Sequence, residues 1–498
     1  MVSPRRVALA IVLGAGAIRL ALAAVIQPVP DETYYWDWSR HLAPGYFDHP
    51  PMIALAIRAG TILFGATPIG IRVVPVLLGI VAVLAGCVLA KHLGGDKGAL
   101  RAAIVLACLP LAGAGLVLAT PDAPLLCFSA IALVAVERAV AEATAPRAAI
   151  LWWAIAGLAC GLAMASKYTG ILLPVGVVLA LAIVPALRKH FATAGPYLAV
   201  ALASLVMIPV LRWNAAHDWI SFRFQLSHGL GVVRGTGIQR EGELLGGQLG
   251  LATPILFVMF VIVIARAWRT SARPRERMLA IVATFIFAFF VYSAWRRPAE
   301  ANWPALAYIP AVALLAATEG ALPWRRWLLA GCVLGGVMVA GTYVQALGPV
   351  LPIAARKDPM ARNAGFRKLG SRLTVIRDSL LLARKSPLIA AQKYQDASEL
   401  AYWIFDKPDV LSINTGYRAN QYDLWPGLRD VARPGSSLIV VGPADGADSS
   451  LDANPGLAAL APHYHQVSLL GVMELGRGGS VRERKRIWLL ETLNSPLP

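Results

Sequence analysis

Two patterns of polarity divide this chain. Up to about residue 346, apolar runs near the ~20 residues that cross a bilayer core alternate with short polar joints. Beyond it the apolar stretches shrink to strand length, as in "SSLIVVGP" (436–443). The first pattern predicts about eleven membrane spans, with about thirteen as an upper bound. They fall at 7–26, 68–90, 102–119, 124–138, 150–165, 171–187, 193–211, 247–265, 278–294, 304–318 and 327–346. Segment 51–66 is apolar but short and carries Arg58, so it reads as an interfacial helix. The second pattern predicts strands at 387–392, 409–414, 436–443 and 486–492, with a helix over 396–405. The expected fold is an α-helical polytopic membrane protein with a C-terminal periplasmic α/β domain. Its division is 1–346, including interfacial helices within 31–66, and 347–498.

Charge sets the sidedness. Arg5, Arg6, Lys91, Lys97, Arg101, Arg138, Arg147, Arg188, Lys189, the run 266–277, Arg325 and Arg326 all fall on one side of the predicted spans. That side is the cytoplasm by the positive-inside rule. Opposite lie 27–67, 120–123, 166–170, 212–246, 295–303 and the C-terminal segment. The chain is 57% hydrophobic and 15% charged, where soluble chains carry about a quarter charged residues. A net charge of +18 suggests nucleic acid in a soluble protein, but here topology accounts for it and no nucleic-acid partner is expected. All five cysteines sit in apolar runs, which excludes a disulfide framework and a thiolate metal site. Arg19 interrupts the first run near its outer end, which argues against a cleaved leader despite "ALA" at 21–23.

Ionisable residues gather at the outer ends of the spans. Asp31, Glu32, Asp48, His49, Asp122, Lys167, Tyr168, His217, Asp218, Arg296, Arg297 and Glu300 come from separate segments, and the topology puts them on one face. Ionisable groups at membrane depth are costly and mark function. Plainer roles stand beside that reading. Asp31 and Glu32 follow Pro30 and suit a helix cap. Tyr34, Tyr35, Trp36 and Trp38 suit an interfacial belt, and "TPDAP" (120–124) a tight turn. Arg212, Arg223, Arg234 and Arg240 in the loop 212–246 suit lipid phosphates. Carboxylates beside cations at a membrane surface fit sugar transfer from a lipid phosphate. A positioned carboxylate takes the acceptor hydroxyl's proton, and cations stabilise the phosphate that leaves. A monophosphate leaving group can be met by Arg and Lys, so no cofactor or metal is required, and a divalent cation is not indicated.

"DETYYWDWSRHLAPGYFDHPPMIA", "TPDAPLL", "SKYTG", "RPAEANWPALAY" and "NQYDLWPG" together resemble bacterial GT-C glycosyltransferases. These are relatives of the protein O-mannosyltransferases and of the transferases that add aminoarabinose or galacturonic acid to lipid A. The resemblance spans the membrane region and, more weakly, the C-terminal domain. It implies an undecaprenyl (polyprenyl) phosphate-linked sugar donor used on the periplasmic face of the inner membrane, with inversion at the anomeric carbon. It assigns the base to Asp31, with Glu32 beside it, and a second acidic position to Asp122. Where the aminoarabinose branch has a phosphate-contacting lysine, this chain has His49; a histidine there would make a phosphate contact pH-sensitive, so that branch's sugar specificity does not carry over directly, and hexuronic acid, hexose and aminopentose donors stay open. Lys167, Arg296 and Arg297 are the other candidate phosphate ligands. Tyr34, Tyr35, Asp48, Tyr168, Glu300 and Asn302 are the candidate substrate-binding residues. The acceptor is a glycolipid, lipid A or lipopolysaccharide core, or alternatively a protein, and the enzyme is expected as a monomer in the bilayer. A lipid-linked sugar transporter or flippase is the rival class, but transporters place their charges near the midplane rather than at one rim.

Overall fold

The computed structural model describes residues 3–141, 145–227, 235–269, 271–413, 416–444 and 455–497. Its contacts divide the chain into two units, residues 1–25 with 42–343, and residues 26–41 with 344–498. Set beside the division predicted at 346/347, the boundary falls three residues earlier, and segment 26–41, expected in the membrane domain, groups with the C-terminal unit.

The first unit holds the helices α1 (Pro4–Val25), α3 (Met52–Phe64), α4 (Pro68–Cys108), α5 (Pro110–Gly113), α6 (Asp122–Ala141) and α7 (Pro146–Met164). It continues with α8 (Leu172–Ile183), α9 (Ala194–Ala216), α10 (Ile220–Ser227), α11 (Gly237–Ala252) and α12 (Pro254–Ala267). Then come α13 (Pro274–Arg296), α14 (Ala305–Ala317) and α15 (Leu322–Leu347). Among the described residues, seven helices are long and apolar enough to cross a membrane, or up to nine if each bent pair is one span. That count treats α4 as a single helix. Gly95, at φ 64°, breaks it, and Gly98 lies so close to the Ala90 carbonyl that a Cβ would sit 2.6 Å from the oxygen. The break falls between the predicted spans 68–90 and 102–119, but the second arm ends at Cys108, well short of 119. Two apolar helices are only 13 residues long, α3 and α14, or about 20 Å each. α14 is buried almost throughout and serves as the core of the bundle.

Small residues let these helices approach. A Cβ at Gly157 of α7 would meet Ala199 of α9 at 2.4 Å, and one at Gly161 would meet Ala203 at 3.0 Å. This is the close small-residue packing that replaces a hydrophobic driving force inside lipid. A different device joins α11 to α12. Thr253 takes φ +61° there, its Oγ1 accepts from Leu256 N at 3.2 Å, and the helices bend by 100°.

In the second unit α2 (Pro30–Arg40), α16 (Phe366–Leu382) and α17 (Tyr394–Trp403) accompany a five-stranded sheet. Its strands are β1 (Pro387–Ala391), β2 (Leu411–Ser412), β3 (Ser437–Pro443), β4 (Tyr464–Arg477) and β5 (Ser480–Leu493), in the order β2-β1-β3-β5-β4. The first three are parallel, the last two antiparallel. Each predicted strand has its counterpart, although Asn414 at the end of 409–414 lies outside the described residues. β4 and α16 went unpredicted. β4 turns into β5 through Gly478 and Gly479, both at positive φ, as a tight hairpin demands.

Candidate active site

The first unit builds a polar cluster from three separate joints. Asp122 opens α6, where its carboxylate favours the positive end of the helix. Lys167 sits in extended backbone between the end of α7 and a short turn at Tyr168–Ile171. Gly170 makes that turn possible, because a Cβ there would meet Ala163 at 2.7 Å. Lys167 Nζ lies 2.8 Å from Asp122 Oδ1, and Asn302 Nδ2 donates to Asp122 Oδ2 at 2.7 Å. The side chains of Lys167 and Asp122 are 10% and 15% exposed, so the pair is screened from bulk solvent yet still reachable. Behind it, Gln248 of α11 donates to Ala301 O at 2.8 Å and accepts from Tyr308 OH at 3.0 Å. The same Gln248, with Pro304, lines an apolar groove of about 800 Å³ between α11, α12 and α13. Phe257, Phe260, Val261, Trp268, Phe287 and Val291 form its walls.

The "FDHPP" loop is fastened to the same region. Met52 N donates to Ala165 O at 3.3 Å, two residues before Lys167. Ser221 Oγ donates to Tyr46 O, and Gln225 Nε2 to Asp48 O, both at 2.7 Å. Asp48 is buried and His49 half-buried. Tyr168 OH accepts from Asn214 at 3.2 Å. Burial pushes the Tyr46 phenol up to about 12, although its oxygen accepts from Ala43 N, which favours the ionised form.

Other predicted members stand apart. Arg296 is exposed and lies over its own neighbour Tyr292, 5.8 Å from the ring centre. Arg297 donates to Leu226 O. Glu300 is exposed. Among the described residues, no hydrogen bond or ion pair joins these three to Asp122, whose partners are Lys167 and Asn302. Arg240, read as a ligand for lipid phosphates, is buried instead. It donates to the carbonyls of Ala294 at 3.1 Å and Trp295 at 2.6 Å, closing the C-terminal end of α13. Arg234 lies outside the described residues.

The second unit holds the acid-rich first motif. Asp31 is half-buried on the first turn of α2. Glu32 caps the helix from within, since its Oε2 accepts from Val29 N at 2.9 Å and the residue is fully buried. Tyr34, expected to bind substrate, is 2% exposed, and its OH accepts from Gln421 N at 2.8 Å. Tyr35 is half-buried, edge-on to Trp38 at 5.0 Å. Tyr422 OH donates to Asp37 Oδ2 at 2.6 Å, so "DETYYWDW" and "NQYDLW" are two halves of one packed interface.

Sequence reasoning missed Asp37, Asp396, Glu399, Lys485 and Tyr422, all buried in this unit. Trp403 Nε1 donates to Glu399 Oε2 at 2.8 Å, while Oε1 has no hydrogen-bond partner among the described residues. Burial pushes the Glu399 carboxyl well above its ordinary range, and the nearby carboxylates of Asp396, Glu32 and Asp31 add to the shift. Burial likewise raises Asp37 against the pull of Arg40 and Tyr422. Lys485 lies 2.7 Å from Asp396 and 2.9 Å from Glu483. Burial works against its ammonium, and the two carboxylates outweigh it, so Lys485 titrates above the usual lysine range. One signal was legible: Asp396, Glu399 and Trp403 share a helix stripe with apolar neighbours in "DASELAYW".

The chain is similar to several known proteins. The family profile "Dolichyl-phosphate-mannose-protein mannosyltransferase" matches residues 48–213. The lipid A galacturonosyltransferase RgtD of Rhizobium johnstonii is 31% identical over 308 residues, and the match spans 62% of this chain and 63% of that protein. ArnT from Cupriavidus metallidurans, solved with undecaprenyl phosphate, superposes with a TM-score of 0.67 at 16% identity, covering 96% of this chain and 97% of ArnT. The oligosaccharyltransferase of Archaeoglobus fulgidus gives 0.54 at 13% identity, covering 88% and 69%. The resemblance read from the motifs holds, and this chain has the polytopic GT-C fold with a small C-terminal sheet domain.

Proposed function

We propose that this chain is a membrane glycosyltransferase that moves a sugar from a polyprenyl phosphate to lipid A or lipopolysaccharide core. The reaction takes place on the periplasmic face of the inner membrane. The acceptor oxygen attacks the anomeric carbon, the bond from that carbon to the phosphate oxygen breaks, and Asp31 accepts the hydroxyl proton. The lipid phosphate leaves with its added negative charge, which Lys167 stabilises, with His49 and the rim arginines as further candidate cations. Asp122, itself held by Asn302, keeps the lysine in place until the donor arrives. Inversion follows from a single displacement, and the cationic residues do this without requiring a metal.

The observation that carries this reading is the junction of groove and cluster. Gln248 lines the apolar groove and also binds Ala301, the neighbour of the Asn302 that holds Asp122. An apolar groove tied through Gln248 to the loop that carries Asn302 suits a donor with a hydrocarbon chain and a phosphate. The relative RgtD is a lipid A galacturonosyltransferase, which favours an anionic hexuronic acid as the sugar. A second reading, transfer to a protein hydroxyl with the same donor, is favoured by the protein mannosyltransferase profile that matches 48–213.

Mass spectrometry of envelope glycolipids, from cells with the gene, without it, and with Asp31→Asn, tests the proposal. Loss of one sugar mass from lipid A or core in both defective arms is expected. Unchanged glycolipids together with a lost protein glycan would overturn the glycolipid acceptor in favour of protein.

A further inference from the structure

Leu382 and Phe405 are 87% and 85% exposed, the highest values for any large apolar side chain among the described residues. They exceed every apolar residue on the spans, yet they belong to the C-terminal unit, where water rather than lipid is the default neighbour. Val375 at 57% and Leu381 at 47% accompany them. Isolated exposed leucines need no explanation, but a contiguous group does.

α16 organises the group. Phe366, Leu369, Gly370, Leu373 and Leu380 form its buried side, and Gly370 packs so tightly on Trp403 that a Cβ would approach to 2.7 Å. The outward stripe is therefore fixed as Lys368, Arg372, Val375, Ser379 and Leu382, one helical turn apart. Phe405 joins it from α17's end, where Phe405 N donates to Thr374 Oγ1 at 3.2 Å. Charge on the segment is one-signed. Residues 362–385 carry seven Lys and Arg against a single acid, Asp378. Arg377 is paired with Asp406 and Lys385 with Glu491, whereas Arg367, Lys368, Arg372 and Arg384 are exposed and make no ion pair among the described residues.

We propose that α16 and Phe405 form a membrane-contact surface, seating the C-terminal unit on the anionic lipid head groups of the protein's own bilayer. Protruding Leu and Phe side chains flanked by Lys and Arg are what an interfacial helix needs to enter the head-group layer. Charge complementarity favours an anionic leaflet over a neutral one. Connectivity selects the protein's own bilayer. The span α15 ends at Leu347 and α16 begins at Phe366, so the tether keeps the local concentration of that surface high. This contact is separate from the transfer reaction and does not depend on it.

The test uses the full chain in proteoliposomes, with Leu382→Cys carrying an environment-sensitive fluorophore and the unlabelled parent as control for the native cysteines. Nitroxide-bearing lipids quench the probe if it lies in the head-group layer. Strong quenching is expected in vesicles rich in phosphatidylglycerol, weaker quenching in phosphatidylcholine, and release at high salt. The triple variant Arg367→Glu, Lys368→Glu, Arg372→Glu should weaken the contact by roughly five-fold per residue changed. Unchanged melting of each variant excludes misfolding. A probe that emits as in water in both lipids overturns the proposal. So does a blue-shifted probe that no lipid quenches, which would mean a protein covers the surface. Protein held in neutral nanodiscs whose probe responds only to added anionic vesicles would overturn the choice of the protein's own membrane.

Discussion

The cluster around Asp122 and the interface between α2 and α17 both withdraw carboxylates from bulk solvent, and they handle them in opposite ways. Asp122 engages both oxygens, one with Lys167 at 2.8 Å and one with Asn302 at 2.7 Å, at a point still open to a ligand. In the second unit Glu32, Asp37, Asp396 and Glu399 are all 4% exposed or less. Of these four, only Asp396 faces a lysine that is itself buried. Asp37 relies on Tyr422 and Arg40, Glu32 on a backbone amide, and Glu399 on an indole. Buried carboxyls of this kind cost stability unless they are paired or stay protonated. The contrast teaches that acid-rich sequence near a span marks two different things. One is a partly exposed ion pair, Asp122 with Lys167; the other is a buried hydrogen-bonded scaffold.

The largest expected effect separates the proposed base from the buried acids near it. Asp31→Asn should lower the transfer rate by about 10²–10⁴ while leaving the melting temperature close to the parent's. A variant with full activity would remove Asp31 from the reaction. Lys485→Met should do the reverse. It leaves Asp396 buried without its partner and should destabilise the C-terminal unit by about 3–5 kcal/mol, read by denaturant unfolding of the purified chain. Between these, Lys167→Met should weaken donor use more than folding. We expect KM for the lipid-linked sugar to rise about ten-fold or more, the loss of a charge-assisted contact to phosphate. An unchanged KM would show that the phosphate binds elsewhere.

Smaller effects refine the scaffold side. Tyr422→Phe removes one donor from buried Asp37 and should cost about 1–3 kcal/mol without affecting the chemistry directly. Glu399 gives a pH signature. Its carboxyl titrates higher folded than unfolded, so its contribution is present below the ordinary glutamate range and is lost as pH rises toward the folded value. Glu399→Gln should therefore raise the melting temperature at neutral pH, with the gain fading toward about pH 4. A gain that stays constant across that range would show that Glu399 is ionised in the folded protein.

Much of the architecture was legible because bilayer and sheet impose periodic patterns. The break in α4 at Gly94 and Gly95 was readable, since Lys91, Asp96, Lys97 and Arg101 interrupt the apolar run there, whereas the end of its second arm at Cys108 was not. The pairing of Asp122 with Lys167 was only half legible. Their sidedness could be read, and each was singled out, but as an acid and a phosphate ligand rather than as partners. Arg240 was misassigned because an exposed-looking loop arginine and a helix-capping arginine have the same sequence signature.

By itself, then, the sequence determined that the first part of the chain is a set of apolar helices and where the sheet domain forms its strands. Those properties depend on local polarity and spacing, which are written along the chain. Only the tertiary structure decided that α2 groups with the C-terminal unit, that Glu32 and Tyr34 are buried and hydrogen-bonded there, and that Tyr422 meets Asp37. Such choices depend on which distant side chain lies within hydrogen-bond reach, and on whether burial leaves a carboxyl any partner but that one. Neither is a property of a residue's neighbours in sequence.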